Sequence, residues 1–503
     1  MIFWLPTVVL AAAVLFGGGS RTGFFADVIV QLLGILLLLV CLWRWMDRGD
    51  DTSPAIRSAP FPVWLAGALL LCLLLVQLVP MPPSLALRWF TANGLSPEAG
   101  GGVTGESWRS FSLTPEPTWA AIASVIPPIA LFASISQMGV PARFRMAALV
   151  IGLSALALIL GFLQVAQGPQ SSLRFFQFTN PTEAVGFFAN RNHFAAQLYT
   201  ALVFAAVWFF SATRNFIRRG TLDTRAILWF AAAAVLLIAT IAGLALARSR
   251  AGLILAMFAI GGIATIFFDD GRAADGERRS GNRFVRRLTL AALVIAVLFA
   301  TQFGLHRVMT RFEADPLSDL RTALTPATLS AAWESLPFGT GFGSFIRVYS
   351  IKEKTKDLFS GHANRAHNDW AELLLETGIF SVALAVLFLW WFSSRAVAIW
   401  RPRRGEGRDD HLTLQRAATV VIVLLLAHSL VDYPLRTTAM ASLFALACAL
   451  LINPPITETP PKVAQRRPSR RQKIPSAPLV AMPAGTATAA EIDLAEAWER
   501  RNT

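Results

Sequence analysis

The chain has 503 residues, 54% of them hydrophobic and 15% charged, with 45 Lys and Arg against 31 Asp and Glu for a formal net charge of +14. A composition this apolar excludes an ordinary soluble domain, and several runs of about 18 or more apolar residues are each long enough to span a bilayer. The basic excess falls in loops between these runs rather than on a soluble basic face, which argues for membrane topology and against nucleic acid as a partner.

The pattern predicts an all-α polytopic membrane protein of about twelve transmembrane helices, with a large periplasmic loop between the ninth and tenth. The predicted spans are 2–19, 24–43, 63–80, 119–137, 146–166, 193–211, 226–247, 251–268, 288–305, 370–393, 416–431 and 437–453. Residues 1–140 form the N-terminal helices and residues 141–453 the core, which includes the loop 306–369. The first run, Ile2 to Phe16, has no basic residue before it and no clear small-x-small cleavage site after it, so it reads as a retained span. Lys and Arg concentrate in short loops such as R-N-F-I-R-R-G and E-R-R-S-G-N-R-F-V-R-R, on the side that also holds both termini. That side is predicted to be cytoplasmic. Cys41, Cys72 and Cys448 lie inside apolar runs with no C-x-x-C spacing and read as packing residues.

The opposite side carries the irregular segments. Residues 81–118 are rich in Pro and Gly, residues 167–192 form a second polar loop, and 306–369 is the longest, with a patterned stretch at 323–333 that reads as a short interfacial helix. The tail 454–503 is Pro-rich and basic, then small and polar, a composition that cannot bury a core and predicts disorder in the cytoplasm.

Charges next to the membrane on the outer side run against the topological bias, so each needs a reason. Arg248, Ser249 and Arg250 form the whole turn of one hairpin. Their guanidiniums either snorkel to lipid phosphate or make a fork for a substrate's phosphates. Asn190, Arg191, Asn192 and His193 open the span of G-F-F-A-N-R-N-H-F. An Asn there can simply cap a helix, and a helix start with four polar groups can also bind an anion. The densest set follows G-T-G-F-G at 339–343: His362, Asn364, Arg365, His367, Asn368, Asp369, Trp370, Glu372 and Glu376. Glu372 and Glu376 stand one helical turn apart. The histidine spacing is not a standard ligand pattern, so no metal is expected, and His367 reads better as a base or hydrogen-bonding group.

These motifs, in this order, resemble the O-antigen ligase and polymerase superfamily of bacterial envelope glycosyltransferases. The resemblance runs over residues 145–450 and rests on G-F-F-A-N-R-N-H-F-A-A, S-R-A-G, L-P-F-G-T-G-F-G-S-F, H-N-D-W-A-E-L-L-L-E-T-G-I-F and H-S-L-V-D-Y-P with His428 and Asp432. It implies transfer of a glycan from an undecaprenyl-diphosphate carrier to an acceptor hydroxyl, of lipid A-core or a growing polysaccharide, at the periplasmic face of the inner membrane. No metal, cofactor or nucleotide sugar is implied. Carried over, Arg250, Arg191 and Arg248 contact the diphosphate, and His367 activates the acceptor or holds the diphosphate. Glu376, before the Gly of E-T-G, is a structural helix-start group or a catalytic one. Asn190, Asn192, His193, Asn368 and Asp369 complete the substrate-binding set. Trp370 stands where the family usually has a small or aliphatic residue. A protein O-oligosaccharyltransferase shares donor and motifs and is an alternative. A transporter is the alternative of a different class, against which stand spans nearly free of charge and no internal repeat.

Overall fold

The computed structural model describes residues 4–20, 25–47, 61–93, 108–219, 224–272, 316–352, 363–401 and 410–454. Within them the regular secondary structure is helical apart from one two-residue antiparallel pair. The order is α1 (Trp4–Phe16), α2 (Phe25–Asp47), α3 (Phe61–Val76), β1 (Pro80–Met81), α4 (Pro83–Ala92), β2 (Arg109–Ser110), α5 (Pro115–Ser136), α6 (Val140–Gln167), α7 (Arg191–Arg219), α8 (Thr224–Ala247) and α9 (Arg250–Arg272). Then come α10 (Pro316–Glu334), α11 (Phe345–Lys352), α12 (Asp369–Thr377), α13 (Ile379–Trp400), α14 (Asp410–His428), a 3-10 turn (Pro434–Arg436) and α15 (Thr438–Leu450). In the strand pair, Pro80 faces Ser110 and Met81 faces Arg109.

Among the described residues 7 helices are long and apolar enough to cross a bilayer: Phe25–Arg44, Pro115–Ser136, Val140–Gln167, Arg191–Ala212, Ile227–Ala247, Ile379–Trp400 and Asp410–His428. Four shorter apolar helices are Trp4–Phe16, Gly67–Val76, Arg250–Ile266 and Thr438–Leu450. All of these fall on predicted spans. The predicted span 288–305 and the tail beyond 454 lie outside the described residues.

One predicted span is corrected. The stretch 370–393 is two helices rather than one, because Gly378, at φ 58°, ends α12 with its N–H on the Leu374 carbonyl before α13 begins at Ile379. The reason is chemical. Asp369, Glu372 and Glu376 need polar partners that hydrocarbon cannot supply, and glycine takes the left-handed turn at little cost.

The main core is built by α1, α5, α6, α7, α9, α14 and α15 around Leu10, Leu131, Met146, Phe204, Leu425 and Leu443. In lipid, helices associate through close packing of small residues rather than through exclusion of water. The α2–α5 contact shows it: a β-carbon on Gly34 would stand 2.8 Å from the Cα of Pro127, one of two prolines inside α5. At one end of the bundle α7, α9 and α15 begin where α6, α8 and α14 finish. There Gln164 staples the loop 168–190, donating to the Leu173 and Gly186 carbonyls and accepting from the N–H of Val185 and Gly186. A second small core caps this end, formed by Leu113, Leu324, Ala331, Ala332, Phe345, Val348, Tyr349, Ala366 and Leu375. At the other end the guanidinium of Arg143 closes helix ends by donating to the carbonyls of Ser136, Met138 and Ile452.

Candidate functional site

The short helix α12 forms because Asn368 caps it. Its side-chain oxygen accepts from the N–H of Trp370 and Ala371, at 3.1 and 3.0 Å. The three acidic side chains of α12 then fall along one face and meet Arg436 of the 3-10 turn. Arg436 Nη1 is 2.6 Å from Glu376 Oε2 and 3.6 Å from Glu372 Oε1, and its Nε is 3.6 Å from Asp369 Oδ1. Arg365 adds a second guanidinium, 2.9 Å from Glu372 Oε1, while the Ala366 N–H donates to the other oxygen. Three buried carboxylates thus share two cations, and one of the three has to give way. Burial pushes Asp369 up to about 7, against Arg436 and the Ser429 hydroxyl. Glu376 is also raised by burial, with Arg436 opposing. Burial raises Glu372 too, but Arg436 and Arg365 more than offset it and leave its carboxyl below the ordinary range. Arg436 is held above its usual value, since the three carboxylates outweigh its own burial.

The glycine-rich stretch packs onto the end of this helix. Gly339, Gly341 and Gly343 all have positive φ, and a β-carbon on Gly339 would come within 2.5 Å of the Gly378 backbone. Gly343 donates to Glu376 Oε1 at 2.7 Å, and Gly341 donates to the Glu376 carbonyl. Gln77, just past α3, ties the two together by donating to that same carbonyl and accepting from the Phe342 N–H.

Beside this knot stands a histidine in an unusual conformation. His367 has φ 51°, a left-handed backbone that costs a non-glycine residue roughly 1–3 kcal/mol unless its surroundings hold it. Its Nδ1 lies 2.9 Å from Asp432 Oδ1. Asp432 is fully buried and its other oxygen accepts from the side chains of Asn192, at 2.5 Å, and Asn190, at 3.5 Å. With a carboxylate on Nδ1–H, the imidazole presents Nε2 as its acceptor. The Tyr433 ring meets the edges of both His367 and His193, with centroids 4.9 and 5.0 Å apart. Its hydroxyl is pushed up to about 12 by burial and by Asp432. His367 keeps 18% of its side chain exposed, so it is the partly open member of an otherwise closed group.

Arg191 and Arg250 open neighbouring helices, and Arg248 stands just past the end of α8. Arg191 opens α7 and pairs with Glu183 at 2.7 Å, while its N–H donates to the Asn180 side chain. Arg248 and Arg250 flank Ser249, which caps α9 by accepting from the Gly252 N–H, and Arg248 takes φ 49° in the two-residue turn. This hairpin is held against its neighbours: Ala184 donates to the Leu246 carbonyl, and a β-carbon on Gly252 would stand 2.4 Å from Ala195 of α7.

The structure therefore gathers Asn190, Asn192, His193 and His367 in one cluster and Asp369 and Glu376 in the adjoining knot. Asn190, Asn192, Asn368, Asp369 and Glu376 serve protein partners through the bonds above, and Glu376 lies near the end of α12 rather than at a helix start. His362 lies outside the described residues. Among those residues no group of His, Cys, Asp and Glu is arranged to hold a metal ion. Arg436, Glu183, Gln77 and Tyr433 were not singled out from the sequence. Arg436 carried the right signal, a charge just before an apolar run. Glu183 and Gln77 carried only weak ones, an acid before a basic helix start and a lone amide in an apolar run.

Residues 233–386 match a protein-family model described as O-antigen ligase. No curated protein matches the chain.

Proposed function

We propose that this chain is a member of the O-antigen ligase and polymerase superfamily, a reading supported by the family-model match over residues 233–386, and that it moves a glycan from undecaprenyl diphosphate to an acceptor hydroxyl at the periplasmic face of the inner membrane. The observation that carries the reading is the His367–Asp432 pair: a buried carboxylate on Nδ1 leaves Nε2 of a partly exposed imidazole ready to take a proton. The acceptor hydroxyl loses its proton to His367 as its oxygen bonds to the anomeric carbon, and the bond from that carbon to the diphosphate breaks. Attack from the face opposite the diphosphate inverts the anomeric centre.

Undecaprenyl diphosphate leaves with added negative charge, and guanidiniums fixed in a low-dielectric setting stabilise that charge without a metal. Arg191, Arg250 and Arg248 are the cations assigned to it, each at or beside a helix start whose dipole favours anions. Arg191 keeps its pair with Glu183, which fixes the direction of its guanidinium before substrate arrives. The knot around Arg436 positions His367 by anchoring the segment from 365 to 376.

The test is glycan transfer by purified protein from an undecaprenyl-diphosphate oligosaccharide to a panel of acceptors in the presence of chelator. Transfer that survives chelation and is lost in His367→Ala, Arg250→Ala and Arg191→Ala supports the reading. The acceptor used separates ligase, polymerase and protein glycosylation. Protein that binds donor without transferring it, but moves it across reconstituted vesicles, would replace the enzyme with a transporter.

A further inference from the structure

The helix α10 has three faces rather than two. Leu324, Thr328, Ala331 and Ala332 are buried, and Leu324, Ala331 and Ala332 belong to the small core that caps the bundle. The exposed remainder is divided lengthwise. Leu329 and Trp333, one turn apart, form an apolar flank, and Trp333 is 77% exposed. Ser330 and Glu334, also one turn apart, form a polar flank, where Glu334 pairs with Lys352 of α11 and the Ser330 hydroxyl reaches the Glu334 carboxylate. Leu329 and Trp333 side by side make an exposed apolar strip set against a polar one, the division that an interfacial helix shows.

What covers that flank is indicated by the segment that follows. Pro337 accepts from the N–H of Ile379, the first residue of a membrane span, so the end of α10 is tied to the level at which α13 begins. Phe338 stacks on Phe380 in the first turn of that span, with centroids 6.4 Å apart. Phe338 also meets the edges of Phe111 and Trp89, which stack on each other at 4.5 Å. The Ser335 hydroxyl joins the Asn93 side chain just past α4, tying the end of α10 to that helix. The outward side of α13 is apolar from Ile379 and Phe380 through Val382, Val386 and Trp390. The apolar flank of α10 thus ends four to five residues before Pro337 and Phe338, which anchor to the first turn of a helix long and apolar enough to cross a bilayer.

We propose that the Leu329–Trp333 flank of α10, with Phe338, lies in the interfacial zone of the leaflet on the site side, so that the cap over the site is seated in the membrane rather than standing above it. The occupant is bilayer lipid. Trp in particular favours the headgroup level, where its ring is apolar and its N–H is wet. The polar flank then faces water, with Lys352 and Glu334 at the boundary. This inference rests on the membrane-spanning fold and not on the glycosyl-transfer reading, so either can fail alone.

The test places a nitroxide at Leu329→Cys, Trp333→Cys and, as the water-side control, Ser330→Cys, with Cys41, Cys72 and Cys448 replaced by alanine and the protein in phosphatidylethanolamine–phosphatidylglycerol nanodiscs. Collisional accessibility to oxygen relative to a water-soluble nickel chelate should be severalfold higher at 329 and 333 than at 330. Equal ratios at the three sites would overturn the proposal and put the flank in water. Low access to both reagents, with dipolar broadening between labels, would overturn it in favour of a second copy of the chain. An independent measurement keeps the native cysteines: tryptophan quenching by lipids brominated near the headgroup should fall in Trp333→Phe relative to wild type. An unchanged quenched fraction would contradict membrane seating.

Discussion

Two buried polar groups stand side by side at the site end of this molecule, and they are built on opposite principles. In the Arg436 knot every carboxylate is answered by a guanidinium, a hydroxyl or a backbone N–H, and Glu372 and Glu376 are fully buried. In the Asp432 cluster the same kind of satisfied carboxylate holds a histidine whose far nitrogen looks outward. Charges turned inward on one another make a joint, whereas a carboxylate that holds a partly exposed imidazole makes a tool. Density of titratable residues along the chain does not distinguish them, since residues 365–376 supply both.

Mutations separate the two. His367→Ala should lower glycan transfer by about 10²–10⁴-fold, the usual range for a positioned base, while the melting temperature in detergent barely moves. A comparable loss of stability would move His367 to the structural side. Arg436→Leu should do the reverse, leaving three buried carboxylates short of a cation and costing roughly 3–5 kcal/mol of stability, visible as a lower unfolding temperature. Retained stability with lost transfer would give Arg436 a direct part in the chemistry.

Asp432→Asn tests the link between the groups. Loss of the carboxylate on Nδ1 should reduce transfer by about 10–100-fold, the scale on which removing a histidine's outer partner acts. The pH–rate profile should shift as well, which a purely structural change would leave alone.

The pH dependence of stability comes next. Asp369 is raised from 3.8 to about 7, so the folded protein binds a proton there that the unfolded chain has released. That contribution is fully present below the unfolded value and is lost as pH rises through about 7. Asp369→Asn should flatten the thermal-stability profile across that window, and an unchanged slope would place the shared proton elsewhere in the knot. The smallest effect belongs to the cap: Asn368→Ala should cost about 1 kcal/mol, read by thermal unfolding, with transfer falling only in step with folding.

Much of the architecture was legible because lipid demands long apolar helices, and the apolar helices found fall on the runs that sequence alone marks, whereas the short helices α4 and α11 formed in segments that read as loop. The arginine hairpin at 248–250 was legible for the same reason, since charge beside a membrane has to be explained. The break at Gly378 was not, because Ile379 to Phe392 continues the apolar pattern that α12 begins with Leu373, Leu374 and Leu375. The division of labour within the polar stretch was also hidden. Asn190 and Asn368 look alike on paper and each caps a helix, α7 and α12, yet only Asn190 also reaches the aspartate that holds His367. Gln77 lay in a region without motifs, and its contact with Glu376 spans 299 positions, a pairing that no local pattern reports.

The same reach along the chain bears on how the protein is made. Arg436 follows Glu376 by 60 positions, and Asp432 follows His367 by 65. A ribosome delivers residues in order, so α12 with its three acids leaves the translation machinery before the cation that neutralises them and before the aspartate that orients the histidine. A chain truncated ahead of residue 432 keeps most of the membrane helices described above and lacks both Asp432 and Arg436, so neither polar group can close until the last hairpin, that of α14 and α15, has been made.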